Sequence, residues 1–359
     1  MFNNSTQAYG ALDQALHRLL LGSNMLRRIA FDIDQAIFPP AQTDEPQAPV
    51  YIAGLARAGT TILLKALYAT EAFTSLTYRH MPLVMAPQLW TRLTAAHRKH
   101  GEHQERAHKD RLSVNFDSPE AFEEVFWMTA SEGRYIHDDG LVPDPIDADS
   151  VADYRRYVAA VCAASSDPAP TTPARRYLAK NNNNVLRLDT LRSAFPDAII
   201  LVPFRNPLDH AQSLLRQHLQ FRKLHAHDRF ALDYMRWLGH HEFGAGFKPM
   251  LLTPDMRPTH PDEPLGLAYW LRYWTSLHRF LLDHHLEHIA LFDYDAFCAT
   301  PTDSLTRLAD VVRVDPAPLL NFADKVLAPT PYGTGNLNAD TIAVHQCLQA
   351  NSLQDRATG

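Results

Sequence analysis

The 359-residue sequence has few cysteines, no excess of positive charge and no long apolar run. Its three cysteines, Cys162, Cys298 and Cys347, lack CxxC spacing, which excludes a disulfide framework and is typical of a reducing compartment. The formal net charge of −6 gives no basic surface for nucleic acid. The apolar residues 19–21 are too few for a signal or membrane segment. We therefore expect a cytoplasmic protein that neither binds nucleic acid nor spans a membrane.

A phosphate-binding loop is present, but it lacks the lysine of nucleotide hydrolases. An apolar run at residues 50–53 is followed by the sequence GLARAGTT at 54–61 and then by a helical pattern at 62–67. The spacing is Gly, four residues, then Gly-x-Thr, with Thr60 where a hydrolase has its Lys. Backbone N–H groups at such a turn and helix start favour a phosphate. The missing Lys indicates either a ligand with less phosphate charge than a triphosphate or another source of cation, for which Arg57 is the candidate.

A second basic site is predicted at the end of a central strand. Residues 198–204 are wholly apolar, as in a parallel strand buried on both faces, and they lead directly into Arg205. Pro207 suits the first turn of a helix, which places Ser213 about two turns further on. Lys180 ends another expected strand, before a run of four asparagines that could also be only a turn or helix cap. Two anion sites predict a nucleotide with phosphates at both ends.

His80 directly follows a short β-like run at residues 73–78, next to the expected phosphate site. An imidazole there suits a general base, although a structural histidine fits the same position. The mixed-charge residues 99–110 fit either a solvated segment or an insertion that binds a second substrate, the acceptor of a transferred group. Because His103 and His108 lack the i, i+4 spacing of two helical ligands, the sequence predicts no metal site.

The chain is predicted to hold one α/β domain with additions. Residues 1–40 form an N-terminal helical segment, either a cap on the domain or a partner-binding element. Residues 48–330 form the domain, with acceptor-side insertions at about 83–174 and 220–265. Residues 331–359 are a C-terminal extension, whose last part, 339–359, carries no chemistry and is expected to fray.

Taken together, these motifs resemble those of the sulfotransferases that use 3′-phosphoadenosine 5′-phosphosulfate. The loop at 54–61 resembles their 5′-phosphosulfate loop, and residues 204–213 resemble their 3′-phosphate motif. The stretch 180–195 is similar to the one that supplies a catalytic Lys in tyrosylprotein-type and Golgi-type members, and residues 291–297 look like the family's late strand. The resemblance, strongest to bacterial members, implies a three-layer fold like that of P-loop NTPases, with a central, mainly parallel sheet between helices.

The resemblance also implies the roles of the site residues. The 5′-phosphosulfate would be held by the loop, and the 3′-phosphate, which remains on the product adenosine 3′,5′-bisphosphate, by a second site. Lys180 would neutralise the leaving oxygen, and His80 would take the acceptor proton, with Glu105 or Asp110 as rival bases. No metal is implied. The expected donor-binding residues are Arg57, Ala58, Gly59, Thr60, Thr61, Arg205 and Ser213, and the expected catalytic residues are His80, Lys180 and Arg57.

The acceptor hydroxyl is left open between a sugar, a phenol and a peptidyl Tyr, as is the oligomeric state. The polar, His-rich insertions favour a sugar or glycolipid. Residues 217–250, dense in His and aromatics, fit either an acceptor pocket or lid, or an amphipathic helix. Residues 332–336 occupy the place of the family's C-terminal nucleotide clamp. Two other functions remain, a P-loop kinase or NTPase without its Lys, and a non-catalytic nucleotide-binding protein.

Overall fold

The computed structural model describes residues 11–39, 47–94, 119–164, 175–326 and 335–355. The strands are β1 (Val50–Ile52), β2 (Phe73–Thr74), β3 (Arg176–Lys180), β4 (Ile199–Phe204) and β5 (Ala290–Asp293). The α-helices of the described residues are α1 (Ala11–Gly22), α2 (Asn24–Ile37), α3 (Thr60–Tyr68), α4 (residues 87–94), α5 (Glu124–Ala130), α6 (Ala148–Ala164), α7 (Leu188–Ala194), α8 (Pro207–His227), α9 (Arg229–Trp237), α10 (Leu267–His285), α11 (Tyr294–Ala299), α12 (Pro301–Val312), α13 (Pro316–Leu320) and α14 (Ala339–Ala350).

The five strands form one parallel sheet in the order β2-β3-β1-β4-β5. In its centre, β1 is buried on both faces, and Ile52 lies level with Lys180 of β3 and Leu201 of β4. The predicted α/β fold with a parallel sheet between helices is confirmed. Since the chain leaves β1 towards β2 on one side, while β4 lies on the other, the end of β1 is a switch point where ligands bind in such sheets.

Alternate residues of β1 enter different cores, as the two-residue period of a strand requires. Tyr51 packs into the larger core, which includes residues of α6, α8 and α10. Val50 and Ile52 pack into the smaller core, formed with α3 and α12. The sheet is thus covered by helices on both faces, and only the ends of its strands remain for binding.

Some elements differ from the sequence-based expectations. The strand expected at residues 73–78 is only two residues long, and a 3₁₀ turn follows at Tyr78–His80. The late strand ends at Asp293, where α11 begins. The C-terminal extension contains α14, which packs against α10, and Leu353 N donates to Leu291 O of β5 at 2.9 Å. No helix within the described ranges is long and apolar enough to cross a bilayer.

Candidate active site

The phosphate loop joins β1 to α3 through three residues with positive φ. These are Gly54 (116°), Arg57 (71°) and Gly59 (89°). A Cβ on Gly59 would overlap the ring of Tyr294, so only glycine fits there. Arg57 adopts a conformation that is uncommon for a residue with a side chain, a form of strain that collects at functional sites. Because α3 begins at Thr60, its free N–H groups face the loop and favour an anion.

Arg57 and Ser213 contact each other across the site. Arg57 Nε donates to Ser213 Oγ at 3.2 Å, which ties the loop to the second turn of α8. The sequence assigns these residues to opposite ends of a nucleotide. The structure brings the two side chains into direct contact.

Arg205 follows β4 directly, and its side chain is buried. Its Nε and one terminal nitrogen have no hydrogen-bond partner within the described residues. The nearest carboxylates are those of Asp209 and Asp295, at 3.9 and 4.0 Å, and the Tyr294 ring centroid is 5.7 Å from the guanidinium carbon. Buried polar groups are nearly always hydrogen-bonded. Unused guanidinium donors next to a phosphate loop therefore indicate a second anion site.

Lys180 is the last residue of β3, level with the start of the phosphate loop. Its Nζ lies 3.9 Å from Oε1 of Glu120. Glu120 is held in place because Tyr78 OH donates to Oε2 at 3.2 Å and Ala121 N donates to Oε1 at 3.0 Å. Sequence reasoning missed Glu120, since its place depends on the bridge between Pro119 and Thr77. The predicted rivals Glu105 and Asp110 lie outside the described residues.

His80 lies in the turn after β2 and is buried. The backbone N–H of Thr77 donates to its Nδ1 at 3.0 Å, which caps the turn. Oγ1 and the carbonyl oxygen of Thr77 also lie 3.2 and 3.3 Å from this nitrogen, so contacts within the turn occupy it. This geometry favours the structural role that the sequence left open, while the catalytic role stays a prediction.

A second acid–cation pair lies close to Lys180. Asn182 Nδ2 donates to Glu242 Oε1 at 2.9 Å, and His240 Nδ1 lies 3.6 Å from the same oxygen. Burial lowers the pKa of His240, but the charge and the hydrogen bond of Glu242 together raise it overall; the charges of Lys180 and Glu120 also act on this ring. For Glu242, burial raises the pKa, yet the charge of His240 and the hydrogen bonds lower it overall. The site thus holds a carboxylate and an imidazole that each favour the charged form of the other.

Two further asparagines of the run bind buried carboxylates next to the site, while Asn183 Nδ2 donates to Gly239 O at 3.2 Å. Asn181 Nδ2 donates to Glu124 at 2.7 Å, and Asn184 Nδ2 donates to Glu123 at 2.9 Å. Arg187 also binds Glu124, with its two terminal nitrogens at 2.7 and 3.0 Å. The run is therefore more than a turn, because it fixes the end of β3 to α5.

A small cleft opens beside the first residues of the phosphate loop. Glu242, Phe247, Lys248 and Met250 line it, whereas His218 and His225 of α8 are buried elsewhere, so residues 217–250 contribute both to the cleft and to a buried helix face. The cleft is lined by Leu55, Ala56, Asn182, Asn183, Leu214, Glu242, Phe247, Lys248, Met250, Trp270 and Tyr273. Its volume of about 20 Å³ is enough for a group of the size of a water molecule or a hydroxyl.

No group of His, Cys, Asp or Glu side chains in the described ranges could hold a metal ion. The groups that could bind a ligand are instead hydrogen-bond donors and fixed charges at the ends of β1, β3 and β4.

Comparison with known proteins finds one matching family and several similar solved structures. The model of a sulfotransferase family matches residues 49–243, which is more than half of the chain and includes the loop, Lys180, Arg205 and Ser213. No curated protein matches the sequence. The structure of sulfotransferase STF9 from Mycobacterium avium is 15% identical and covers 97% of this chain and 86% of its own, with a TM-score of 0.50. The structure of sulfotransferase STF1 from Mycobacterium tuberculosis H37Rv is also 15% identical. The alignment covers 96% of this chain and 82% of STF1, with a TM-score of 0.46.

At 15% identity, the STF9 structure supports the fold alone. The family match, in contrast, spans each of the three strand ends that carry the candidate site. The chain therefore belongs to the sulfotransferase family.

Proposed function

We propose that the protein transfers the sulfuryl group of 3′-phosphoadenosine 5′-phosphosulfate to an acceptor hydroxyl. One observation carries the choice of donor. The lysine-free phosphate loop after β1 and the buried Arg205 after β4 are adjacent, and the contact between Arg57 and Ser213 joins them. Two anion sites on neighbouring strands fit a nucleotide that has charge at both its 5′ and 3′ positions.

The loop would hold the 5′-phosphosulfate. Backbone N–H groups of residues 58–61 and the hydroxyls of Thr60 and Thr61 are the donors there, with Arg57 as the local cation. Arg205 and Ser213 would hold the 3′-phosphate. Because Asp209 and Asp295 lie about 4 Å from the guanidinium, they balance its charge without occupying its donors.

In the transfer step, the acceptor oxygen attacks sulfur while the bond from sulfur to the bridging 5′-phosphate oxygen breaks. Positioning and charge stabilisation dominate such in-line transfers. Lys180 would neutralise the leaving oxygen, whose electron pair stays on adenosine 3′,5′-bisphosphate. We propose Glu120 as the base that takes the acceptor proton, because its carboxylate is fixed beside Lys180, whereas Nδ1 of His80 already accepts a hydrogen bond.

For the acceptor, we propose a sugar hydroxyl that enters the cleft lined by Trp270 and Tyr273. The amide of Asn182 and the carboxylate of Glu242, which are hydrogen-bonded to each other there, are suitable partners for a hydroxyl. Turnover with sugar, phenol and Tyr-peptide acceptors compares the classes. Faster transfer to a phenol or a peptide would replace the sugar while leaving the donor assignment intact.

The donor assignment is tested by thermal unfolding with adenosine 3′,5′-bisphosphate, ATP or ATP–Mg²⁺. A ligand that binds only the folded state at 100 times its Kd adds about 2.7 kcal/mol of stability. We expect the bisphosphate to raise the Tm at lower concentration than either form of ATP, without Mg²⁺. Preference for ATP–Mg²⁺ would instead indicate a kinase, and binding without any turnover of the sulfated donor would indicate a non-catalytic protein.

A further inference from the structure

The outer face of α2 carries a row of exposed apolar side chains. Met25, Ile29, Ile33 and Ile37 recur every four residues, and their exposed fractions are 67%, 43%, 43% and 53%. Residues four apart form one ridge along a helix. A contiguous apolar strip of this kind is unusual on a monomer and marks an interaction surface. We call these four side chains the α2 ridge.

The opposite face of α2 is firmly held by the domain. Arg27 Nε donates to Thr129 Oγ1 at 2.9 Å, and Phe31 is buried in the larger core. Asp34 is buried as well, and it accepts a 2.7 Å hydrogen bond from the backbone N–H of Leu89 at the start of α4. The α2 ridge is therefore presented by a fixed helix and needs no rearrangement to bind a partner.

The charged side chains beside the ridge include one of each sign, so the same patch on a second copy offers each of them an opposite charge. Arg28 and Asp32 lie along one side of it, both well exposed, with Arg28 Nε 3.1 Å from Asp32 Oδ1. If two copies of α2 pack antiparallel about a two-fold axis, Ile29 of each lies against Ile33 of the other. The same axis brings Arg28 of one copy beside Asp32 of the other, because like sides of the helices meet. A two-fold interface contacts the same patch on both subunits, and this patch meets that condition.

From the ridge and its charges we propose that the protein forms a two-fold dimer through antiparallel packing of α2 against α2 of a second copy. Two i, i+4 ridges pack into each other's grooves and cross near their centres, so Ile29 and Ile33 are the central contacts. One helix per subunit gives an interface at the low end of the specific range, with a dissociation constant of about micromolar.

Sedimentation velocity of the full-length chain between about 1 and 200 µM measures this association. We expect a monomer at the low end and a dimer at the high end. Ile29→Asp should weaken the dimer by at least about 100-fold, since it places a charge at the centre of the contact. Ile342→Asp, which alters a similarly exposed apolar side chain on α14, is the matched control and should leave the association unchanged.

A charge exchange tests the antiparallel arrangement. Asp32→Arg sets two Arg side chains against each other across the axis and should weaken the dimer, while the double variant Arg28→Asp/Asp32→Arg should restore it. Thermal unfolding of each variant checks the fold, because Arg28 also binds Asp153 at 2.7 Å. A monomer at 200 µM, or a dimer that tolerates Ile29→Asp, would overturn the proposal. Monomers that bind vesicles of anionic lipid through the ridge would overturn it in favour of a membrane surface.

Discussion

The buried side chain of Arg205 lowers the stability of the ligand-free protein, because some of its hydrogen-bond donors are unfilled. The residue is only 6% exposed, yet two of its guanidinium nitrogens have no hydrogen-bond partner within the described residues. Leaving such donors unfilled costs about 1–3 kcal/mol for each group. The carboxylates of Asp209 and Asp295 offset part of this cost through their charge, and an anion between the loop and α8 would offset the rest.

We expect Arg205→Ala to remove the preference for a 3′-phosphate. Hydrogen bonds to charged groups contribute about 1.5–3 kcal/mol, so affinity for 3′-phosphoadenosine 5′-phosphosulfate should fall by about 10- to 100-fold. Affinity for adenosine 5′-phosphosulfate should stay within about two-fold, as judged by calorimetric titration of both nucleotides. Arg236→Ala on α9, which alters an exposed arginine, is the control. Equal losses for both nucleotides would remove Arg205 from the 3′-phosphate site.

The proton acceptor can be identified by a pair of substitutions. Glu120→Gln keeps the shape of the side chain but removes its basicity, so turnover should fall by about 10²- to 10⁴-fold while donor affinity is retained. His80→Gln should have a small effect on turnover and a larger one on Tm, because the ring caps its own turn. Glu287→Gln, at an exposed acid, serves as the control. The reverse pattern, with turnover lost only in His80→Gln, would return the role of the base to His80.

Among the elements, α8 contributes most to the arrangement of the site. It begins just after Arg205, and its Ser213 binds Arg57 of the phosphate loop. Trp274 of α10 donates to Nδ1 of His210 at 3.1 Å, so Nε2 of His210 carries the proton and donates to Ala56 O of the loop at 2.8 Å. The helix α8 thus connects the two proposed anion sites, and the hydrogen bond from Trp274 fixes it to α10.

The sequence predicted the elements whose signals are local. The loop at 54–61 and the strand at 198–204 are encoded by glycine spacing and by a continuous apolar run, and the Pro207 helix start is confirmed. Glu120, His240 and Glu242 could not be found in this way. These residues are at least 60 positions from Lys180 in the sequence. They come close to it only through tertiary contacts, which no local pattern encodes.

Buried histidines make the stability of this helical layer depend on pH. Burial lowers the pKa of His210 to about 3, and that of His218 and His278 to about 4. In the unfolded chain these groups titrate near pH 6.5. Below that pH the unfolded state binds protons that the folded state does not, so stability is complete above pH 6.5 and falls as the pH drops towards 4.

We expect urea denaturation at pH 7.5, 6.5, 5.5 and 4.5 to show this loss, with each histidine contributing up to about 1.4 kcal/mol per pH unit below 6.5. His218→Gln should flatten the slope by about that amount, because Gln can still accept from Gly244 N without titrating. His260→Gln, at an exposed position, should leave the slope unchanged. Parallel slopes for all three proteins would show that His218 is not buried as a neutral ring.

At the scale of the whole molecule, the C-terminal extension belongs to the domain. Val344 and Leu348 of α14 are buried in the larger core, and residues 352–354 run beside β5. Residues 352–354 thus cover β5, the outer strand of the sheet, and this limits its pairing with other chains. The sequence predicted that this region would fray, because its residues carry no motif and its packing depends on α10, more than 50 residues earlier.

Leu348 is fully buried, so Leu348→Ala should lower the free energy of unfolding by about 2–5 kcal/mol through lost burial and the resulting cavity. Ile342→Ala, at a side chain 41% exposed on the same helix, should change it by less than about 1 kcal/mol. Urea denaturation measures both, and the ratio of affinities for the two sulfated nucleotides should be the same in each variant, because α14 contributes no donor-binding side chain. Equally small losses for the two substitutions would show that the extension folds apart from the core. A changed affinity ratio in Leu348→Ala would show that α14 acts on the donor site through α10.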